Sequence, residues 1–178
     1  MKRCFVLGIG VVALLNLVAC SQQDSTPMAS APASTPVNVD GTKYILSEEP
    51  TNAADVIQVR KEAKDSDDVV IVGRIGGSEN PWIDGRAAFS IVDGSIKACT
   101  DIPGDTCQTP WDYCCETPKL PMGIALVKFV DDDGNLVKAD ARELLNVKEL
   151  STVVVKGKAK RDEAGNLTVL ASGIYVQK

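Results

Sequence analysis

The sequence predicts a mainly β fold, namely a small five-stranded Greek-key barrel with a helix before strand 1 and a short helix before strand 4. Short β-branched runs recur along the chain and end at glycines or at Asp-Gly pairs, which is typical of strands. Two stretches with helical spacing stand before the first and the fourth of these runs. Short strands in this order favour a small, partly open Greek-key barrel.

The predicted elements follow one another from residue 51 onwards. The first is a helix over residues 51–64, because Thr51 or Asn52 can cap its start and Ala54 and Ile57 give it an apolar stripe. Asp133-Gly134 is a hairpin turn signal, after which the chain can return along the preceding strand. Strands are predicted at 69–77, 86–93, 124–130, 152–159 and 167–176, a return segment at 135–138, and the short helix at 141–145.

Four segments of this region resemble OB-fold domains of the nucleic-acid-binding type: residues 72–75, 89–93, 153–159 and 166–171. Their glycines match positions where such barrels bend their strands sharply. The resemblance covers most of residues 68–178 and implies an OB-like barrel whose faces and rim loops bind a ligand. The chain lacks the aromatic platforms and basic face of single-strand binders, so nucleic acid is not an expected partner.

The amino terminus has the three parts of a lipoprotein signal. Lys2 and Arg3 precede an apolar run over residues 4–18, which is too short for a stable membrane span. The run ends in Leu17-Val18-Ala19-Cys20, which resembles the lipobox of bacterial lipoproteins. The resemblance implies a membrane protein of the cell envelope, anchored through palmitate-type chains on Cys20 and facing the periplasm or the exterior. The alternative is an ordinary cleaved signal peptide.

These signals divide the chain into four parts. Residues 1–19 are the predicted signal peptide, and residues 20–42 are the lipidated cysteine with a disordered tether rich in Ala, Ser, Thr and Pro. Residues 43–67 are a helical lead-in. Residues 68–178 form the barrel, which carries a cysteine-rich insert at 99–115 between strands 2 and 3.

Composition excludes several classes of function. The chain has 19 basic and 24 acidic residues, and losing the leader would take its net charge from −5 to −7. An acidic protein lacks the positive field that attracts phosphates. There is no histidine, which excludes Ser-His-Asp and Cys-His catalysis and the histidine-containing zinc sites. We therefore predict no catalytic residue and a protein that is not an enzyme.

The insert contains Cys99, Cys107, Cys114 and Cys115, for which two disulfides are the first interpretation. An oxidising envelope favours disulfides. A bond between the neighbours Cys114 and Cys115 would be strained, so Cys99 and Cys107 are each expected to pair with one of them. Each bond would stabilise the fold by about 2–4 kcal/mol. The protein would then be a binding module for an envelope protein or a small ligand, with no cofactor.

The same cysteines have two other interpretations. Four thiolates can hold zinc, copper or an iron–sulfur cluster, although the C-x-x-C spacing of a zinc ribbon is absent. Four nearby carboxylates can add oxygen ligands: Asp101, Asp105, Asp112 and Glu116. The other alternative is redox chemistry by Cys114 and Cys115, which lack electropositive neighbours that would lower a thiol pKa.

Trp111 and Tyr113 stand beside the cysteines. They can form a contact face for a partner, or they can cover the disulfides and close the barrel mouth. The second role is favoured, because aromatic residues are scarce in this chain and the domain needs them in its core.

Overall fold

The computed structural model describes residues 39–178, most of which form a β-barrel with short helices around it. The predictions for the signal peptide, for Cys20 and for most of the tether lie outside the described residues. No helix within residues 39–178 combines the length and the apolar character of a membrane span.

The strands of this part are β1 (Ala54–Asp55), β2 (Asp68–Ile75), β3 (Ala88–Val92), β4 (Ile124–Phe129), β5 (Thr152–Arg161) and β6 (Leu167–Val176). The α-helices are α1 (Val56–Glu62), α2 (Leu120–Gly123) and α3 (Ala141–Leu145), and 3₁₀ helices span Gly41–Tyr44, Cys99–Asp101, Pro110–Asp112 and Cys114–Lys119.

Five of the strands close into a barrel. They lie in the order β2-β3-β4-β6-β5, and β5 pairs back with β2 from Asp68↔Lys158 to Arg74↔Thr152. The pair β4–β6 is parallel, and the other pairs of the barrel are antiparallel. The extra strand β1 adds to β2 in parallel. This topology confirms the predicted OB-like barrel, which is closed rather than partly open.

The first helix is shorter than predicted. Ala54 and Asp55 pair with β2 as a strand, so α1 begins at Val56, and neither Thr51 nor Asn52 caps it. A carboxylate from far along the chain stabilises its first turn instead, because Asp93 accepts the Ile57 N–H at 2.8 Å. A helix start that depends on a residue 36 positions away is invisible to local patterns.

The later elements follow the sequence pattern closely. The short helix α3 and the strand β6 have the predicted bounds, and Asp140 caps α3 by accepting the Arg142 N–H. The return segment at 135–138 reduces to a single bridge, Val130↔Leu136. The folded part also starts earlier than predicted, since residues 41–44 are a 3₁₀ helix that buries Tyr44.

Alternation along β5 shows how the sequence fills the barrel. Gly157 and Ala159 are buried, whereas Lys156, Lys158 and Lys160 are exposed on the other face. The interior also holds the edge-to-face pair of Tyr44 and Phe129 and the neighbouring ring of Phe89.

A second apolar cluster lies under the cysteine insert. Its buried members are Val92, Ile96, Ala98 and Tyr113, and Leu120, Ile124 and Leu150 pack against them. Tyr113 is fully buried, and its hydroxyl has no hydrogen-bond partner among the described residues. Tyr113 therefore anchors the insert in an apolar cluster that it shares with β3, β4 and the segments beside them.

Replacing Tyr113 tests this core. We expect Tyr113→Ala to lower the free energy of unfolding by about 3–5 kcal/mol, as for other large aromatic truncations. Tyr113→Phe should leave stability unchanged or raise it, because an unpaired buried hydroxyl costs about 1–3 kcal/mol. Urea unfolding of the two variants measures both changes. A loss above about 1 kcal/mol in Tyr113→Phe would show that the hydroxyl has a partner.

Candidate metal centre

An ion pair ties the start of the insert to the barrel. The carboxylate of Asp101 accepts the Ala98 N–H at 3.0 Å, which stabilises the 3₁₀ turn that begins at Cys99. The same carboxylate pairs at 2.5 Å with the guanidinium of Arg74 on β2. Cys99 is thereby held close to the barrel, and its side chain is fully buried.

The middle of the insert docks on the glycines that follow β2. Gly77 lies at φ +97°, a left-handed conformation that favours glycine, and its N–H donates to the Trp111 carbonyl at 2.7 Å. A Cβ on Gly76 would lie 2.4 Å from that carbonyl oxygen. The Trp111 indole donates to the Glu79 carbonyl at 3.0 Å. These contacts fix residue 111, directly before the next ligand candidates.

These contacts bring the four predicted cysteines together. The Cys99 sulfur lies 3.5 Å from that of Cys114 and 3.9 Å from that of Cys115, and the sulfurs of Cys107 and Cys114 are 3.7 Å apart. A disulfide is about 2.05 Å long, and all four cysteines are free. The two predicted disulfides are therefore not formed in this structure.

Thiolates about 2.3 Å from a tetrahedral zinc ion lie about 3.8 Å from one another, which matches the observed separations of the sulfur atoms.

The possible ligand atoms fall into two sets that share one sulfur. In the first set, Cys99, Cys107, Cys114 and Asp112 have ligand atoms within 4.8 Å of one another. In the second set, the same holds for Cys99, Cys115 and Asp105. The sequence predicted all these residues as candidates, but it predicted a single site with four thiolates.

Hydrogen bonds orient the two carboxylates. Asp112 accepts the Cys114 N–H at 2.8 Å with one oxygen and the Thr109 hydroxyl at 2.9 Å with the other. Asp105 accepts the Cys107 N–H at 2.7 Å, and its second oxygen lies 3.4 Å from the Cys115 sulfur. In both cases the aspartate stands two residues before a cysteine, as in an Asx turn. This repeated Asp-x-Cys spacing is a sequence signal that could have selected Asp105 and Asp112.

The other predicted site residues have different contacts. Asp101 is paired with Arg74, and Glu116 pairs with Lys119 at 2.5 Å, so neither joins a ligand set. Tyr113 is buried and Trp111 is half-buried. The side chain of Tyr113 is thus not available as a contact face for a partner.

The environment of the exposed thiols favours their protonated form. Hydrogen bonds with Cys99 and then with Cys107 raise the pKa of the Cys114 thiol well above its ordinary value. The Cys115 thiol donates to Asp105, which raises its pKa to about 11. Burial works to raise the pKa of Asp112, but hydrogen bonds from Cys114 and Thr109 outweigh it and hold this pKa below the ordinary value. Raised thiol pKa values do not favour the redox alternative, in which a thiolate attacks.

Comparisons with known proteins add little about function. No family model matches the chain, and no curated protein matches it. Among solved structures it is similar to the hypothetical protein YgiW from E. coli, at 14% identity and a TM-score of 0.39, over 75% of this chain and 96% of that one. It is also similar to Rim1, a mitochondrial single-stranded DNA-binding protein from S. cerevisiae, at 17% identity and a TM-score of 0.35, over 65% of this chain and 98% of that one.

Likenesses this weak carry no argument about the ligand, and the assignment of the fold rests on the strand order of the barrel itself. These likenesses therefore do not test our expectation that nucleic acid is not a partner. That expectation stays a prediction, based on the acidic charge of the chain.

Zinc affinity should depend steeply on pH. Zinc binding would replace the thiol protons of the first set. We therefore expect the zinc affinity to fall about tenfold for each unit by which the pH is lowered, per proton released. This loss of affinity should already be seen when the pH is lowered from about 8 to about 7, because the raised pKa of the Cys114 thiol keeps it protonated at neutral pH. Competition with a chromophoric chelator at about pH 6, 7 and 8 measures this slope. A pH-independent affinity would contradict thiolate ligation.

Proposed function

We propose that this protein is a metal-binding lipoprotein of the bacterial cell envelope, whose OB-like barrel carries a thiolate site for zinc in its rim insert. The spacing of the sulfur atoms carries the proposal. In the first set, the sulfur of Cys114 lies 3.5 Å from that of Cys99 and 3.7 Å from that of Cys107, and both separations are close to the edges of a zinc–thiolate tetrahedron. An ion within this set would bind the sulfurs of Cys99, Cys107 and Cys114 together.

Zinc suits the donors better than the alternative ions of the sequence analysis. The first set combines three sulfurs with the oriented oxygen of Asp112, and zinc accepts sulfur and oxygen ligands together in tetrahedral geometry. Copper(I) selects soft thiolate or thioether ligands, for which a carboxylate is a poor partner. An iron–sulfur cluster usually takes four cysteines, whereas this set offers three.

The role we propose for the site is binding rather than catalysis. The insert connects β3 to β4, the second and third strands of the barrel, and the face of these two strands is a usual ligand site of this fold. An ion would stabilise the loop in the position that Arg74 and Gly77 already favour. The loop would then present a fixed surface to an envelope protein or a small ligand.

The anchor we propose is the lipidated Cys20, which is supported by the sequence alone. The basic start, the apolar run and Leu17-Val18-Ala19-Cys20 are in register for a lipoprotein signal. The segment from residue 21 to residue 38 would then link the lipid to the barrel.

Metal content tests the proposed site. We expect the mature chain, made with Cys20→Ser in a secreted form, to hold zinc in native mass spectra and elemental analysis. Asp112→Asn should weaken zinc binding by about 10–100-fold, as losses around metal sites commonly do. Asp133→Asn makes the same change at an exposed turn and should leave it unchanged. A metal-free protein four hydrogens lighter would instead show two disulfides and overturn the proposal.

Lipidation is tested separately with the full-length protein in a bacterial host. The intact mass of the membrane-extracted chain should correspond to residues 20–178 plus acyl groups. Cys20→Ser should abolish the acyl mass, because the thiol that accepts the lipid is gone. Cys4→Ser is the matched control and should keep it, since Cys4 would leave with the signal peptide. Acyl groups on the Cys20→Ser protein would contradict the proposed anchor.

A further inference from the structure

We propose that the insert holds two ions, with the Cys99 sulfur as a ligand shared between them. This inference rests on the proposed metal-binding function and names the composition of the same site. The two ligand sets meet only at Cys99, which is fully buried beneath the insert. A thiolate sulfur has several lone pairs and can bridge two metal ions.

The second set has the dimensions of a zinc site. Its two sulfurs, on Cys99 and Cys115, are 3.9 Å apart, close to the tetrahedral edge of about 3.8 Å for two thiolates. The Cys115 sulfur and the Asp105 oxygen are 3.4 Å apart, against an edge of about 3.6 Å for a thiolate and a carboxylate. The second site therefore matches zinc about as well as the first.

A single ion in the first set would leave two of the candidate ligands, Cys115 and Asp105, without a metal to bind. The four sulfurs do not form one mutually close set, because Cys115 groups with Asp105 and not with Cys107. Cys114 and Cys115 are neighbours in the chain, yet they belong to different sets. An ion in the first set alone would thus leave Cys115 and the oriented oxygen of Asp105 unused.

Charge also favours two ions. With every ligand ionised, the two sets together carry four thiolates and two carboxylates, and Arg74 is already paired with Asp101. One divalent ion would leave four negative charges in this partly buried cluster, whereas two ions would leave two. Because like charges this close repel one another, the second ion stabilises the ionised form of Cys115.

The second ion would differ from the first in its access to solvent. Its set supplies three protein ligands, and zinc sites with three protein ligands keep a fourth position for water or another ligand. Cys115 is exposed, so this open position would lie at the surface of the insert. A donor atom from a partner molecule could replace the water there.

Counting ions separates the two sites. We expect native mass spectra of the zinc-loaded mature chain with Cys20→Ser to show two zinc ions. Cys115→Ser and Asp105→Asn should each leave one, because each removes a ligand of the second set alone. The amide oxygen in Asp105→Asn can still accept the Cys107 N–H that orients the first set. Asp133→Asn, the matched control, should keep two. Thermal unfolding of the zinc-loaded variants checks that they remain folded, which is expected because Cys115 is exposed.

Cadmium-113 NMR of the same protein tests the bridge. Two ions that share the Cys99 sulfur should give two resonances with a scalar coupling between them, and Cys115→Ser should leave one uncoupled resonance. Two uncoupled resonances would overturn the shared ligand. One ion in the parent protein that persists in Cys115→Ser would overturn the second site and keep the proposed function. No ion in any protein would overturn the proposed function itself.

Discussion

The burial of Tyr113 against the rim of the barrel is the interaction on which the thiol cluster depends. Tyr113 stands between Asp112 and Cys114, so fixing its position fixes a carboxylate and a thiol at once. Its backbone is left-handed, at φ 59°, which typically costs about 1–3 kcal/mol for a residue other than glycine. Packing against Val92 and Ile96 offsets this cost. The hydrogen bond from Gly77 to Trp111 holds the chain two residues earlier.

Much of the barrel could be predicted from the sequence because its signals are local. In β5 a β-branched run is followed by lysines that alternate with the buried Gly157 and Ala159, and α3 has its capping aspartate directly before it. The start of α1 could not be predicted, because it depends on Asp93 and on the pairing of Ala54 with Ile71. Full closure of the barrel likewise depends on β2 pairing with β5, which lies about 80 residues further along the chain.

The site shows the same division between local and remote causes. The cysteines and the nearby carboxylates could be selected as candidate ligands from their residue types alone. The choice between carboxylates depends on remote partners, because Arg74 on β2 engages Asp101 and leaves Asp105 and Asp112 to the thiols. The division of Cys114 and Cys115 between two sets follows from the 3₁₀ helix that begins at Cys114, because its successive side chains point about 120° apart.

The proposed ion would also explain how reduced thiols persist in the oxidising compartment that the lipoprotein signal implies. The sulfurs of Cys99 and Cys114 are close enough to react, but a disulfide requires them to approach from 3.5 Å to about 2.05 Å. A bound ion opposes this approach, since it engages the thiolate electron pairs and holds the sulfurs apart. The ligand set exists only in the folded chain, so binding also stabilises the fold, by about 2.7 kcal/mol when the free ion is 100-fold above its Kd. In the protein we propose, metal occupancy and the position of the rim loop would therefore be linked.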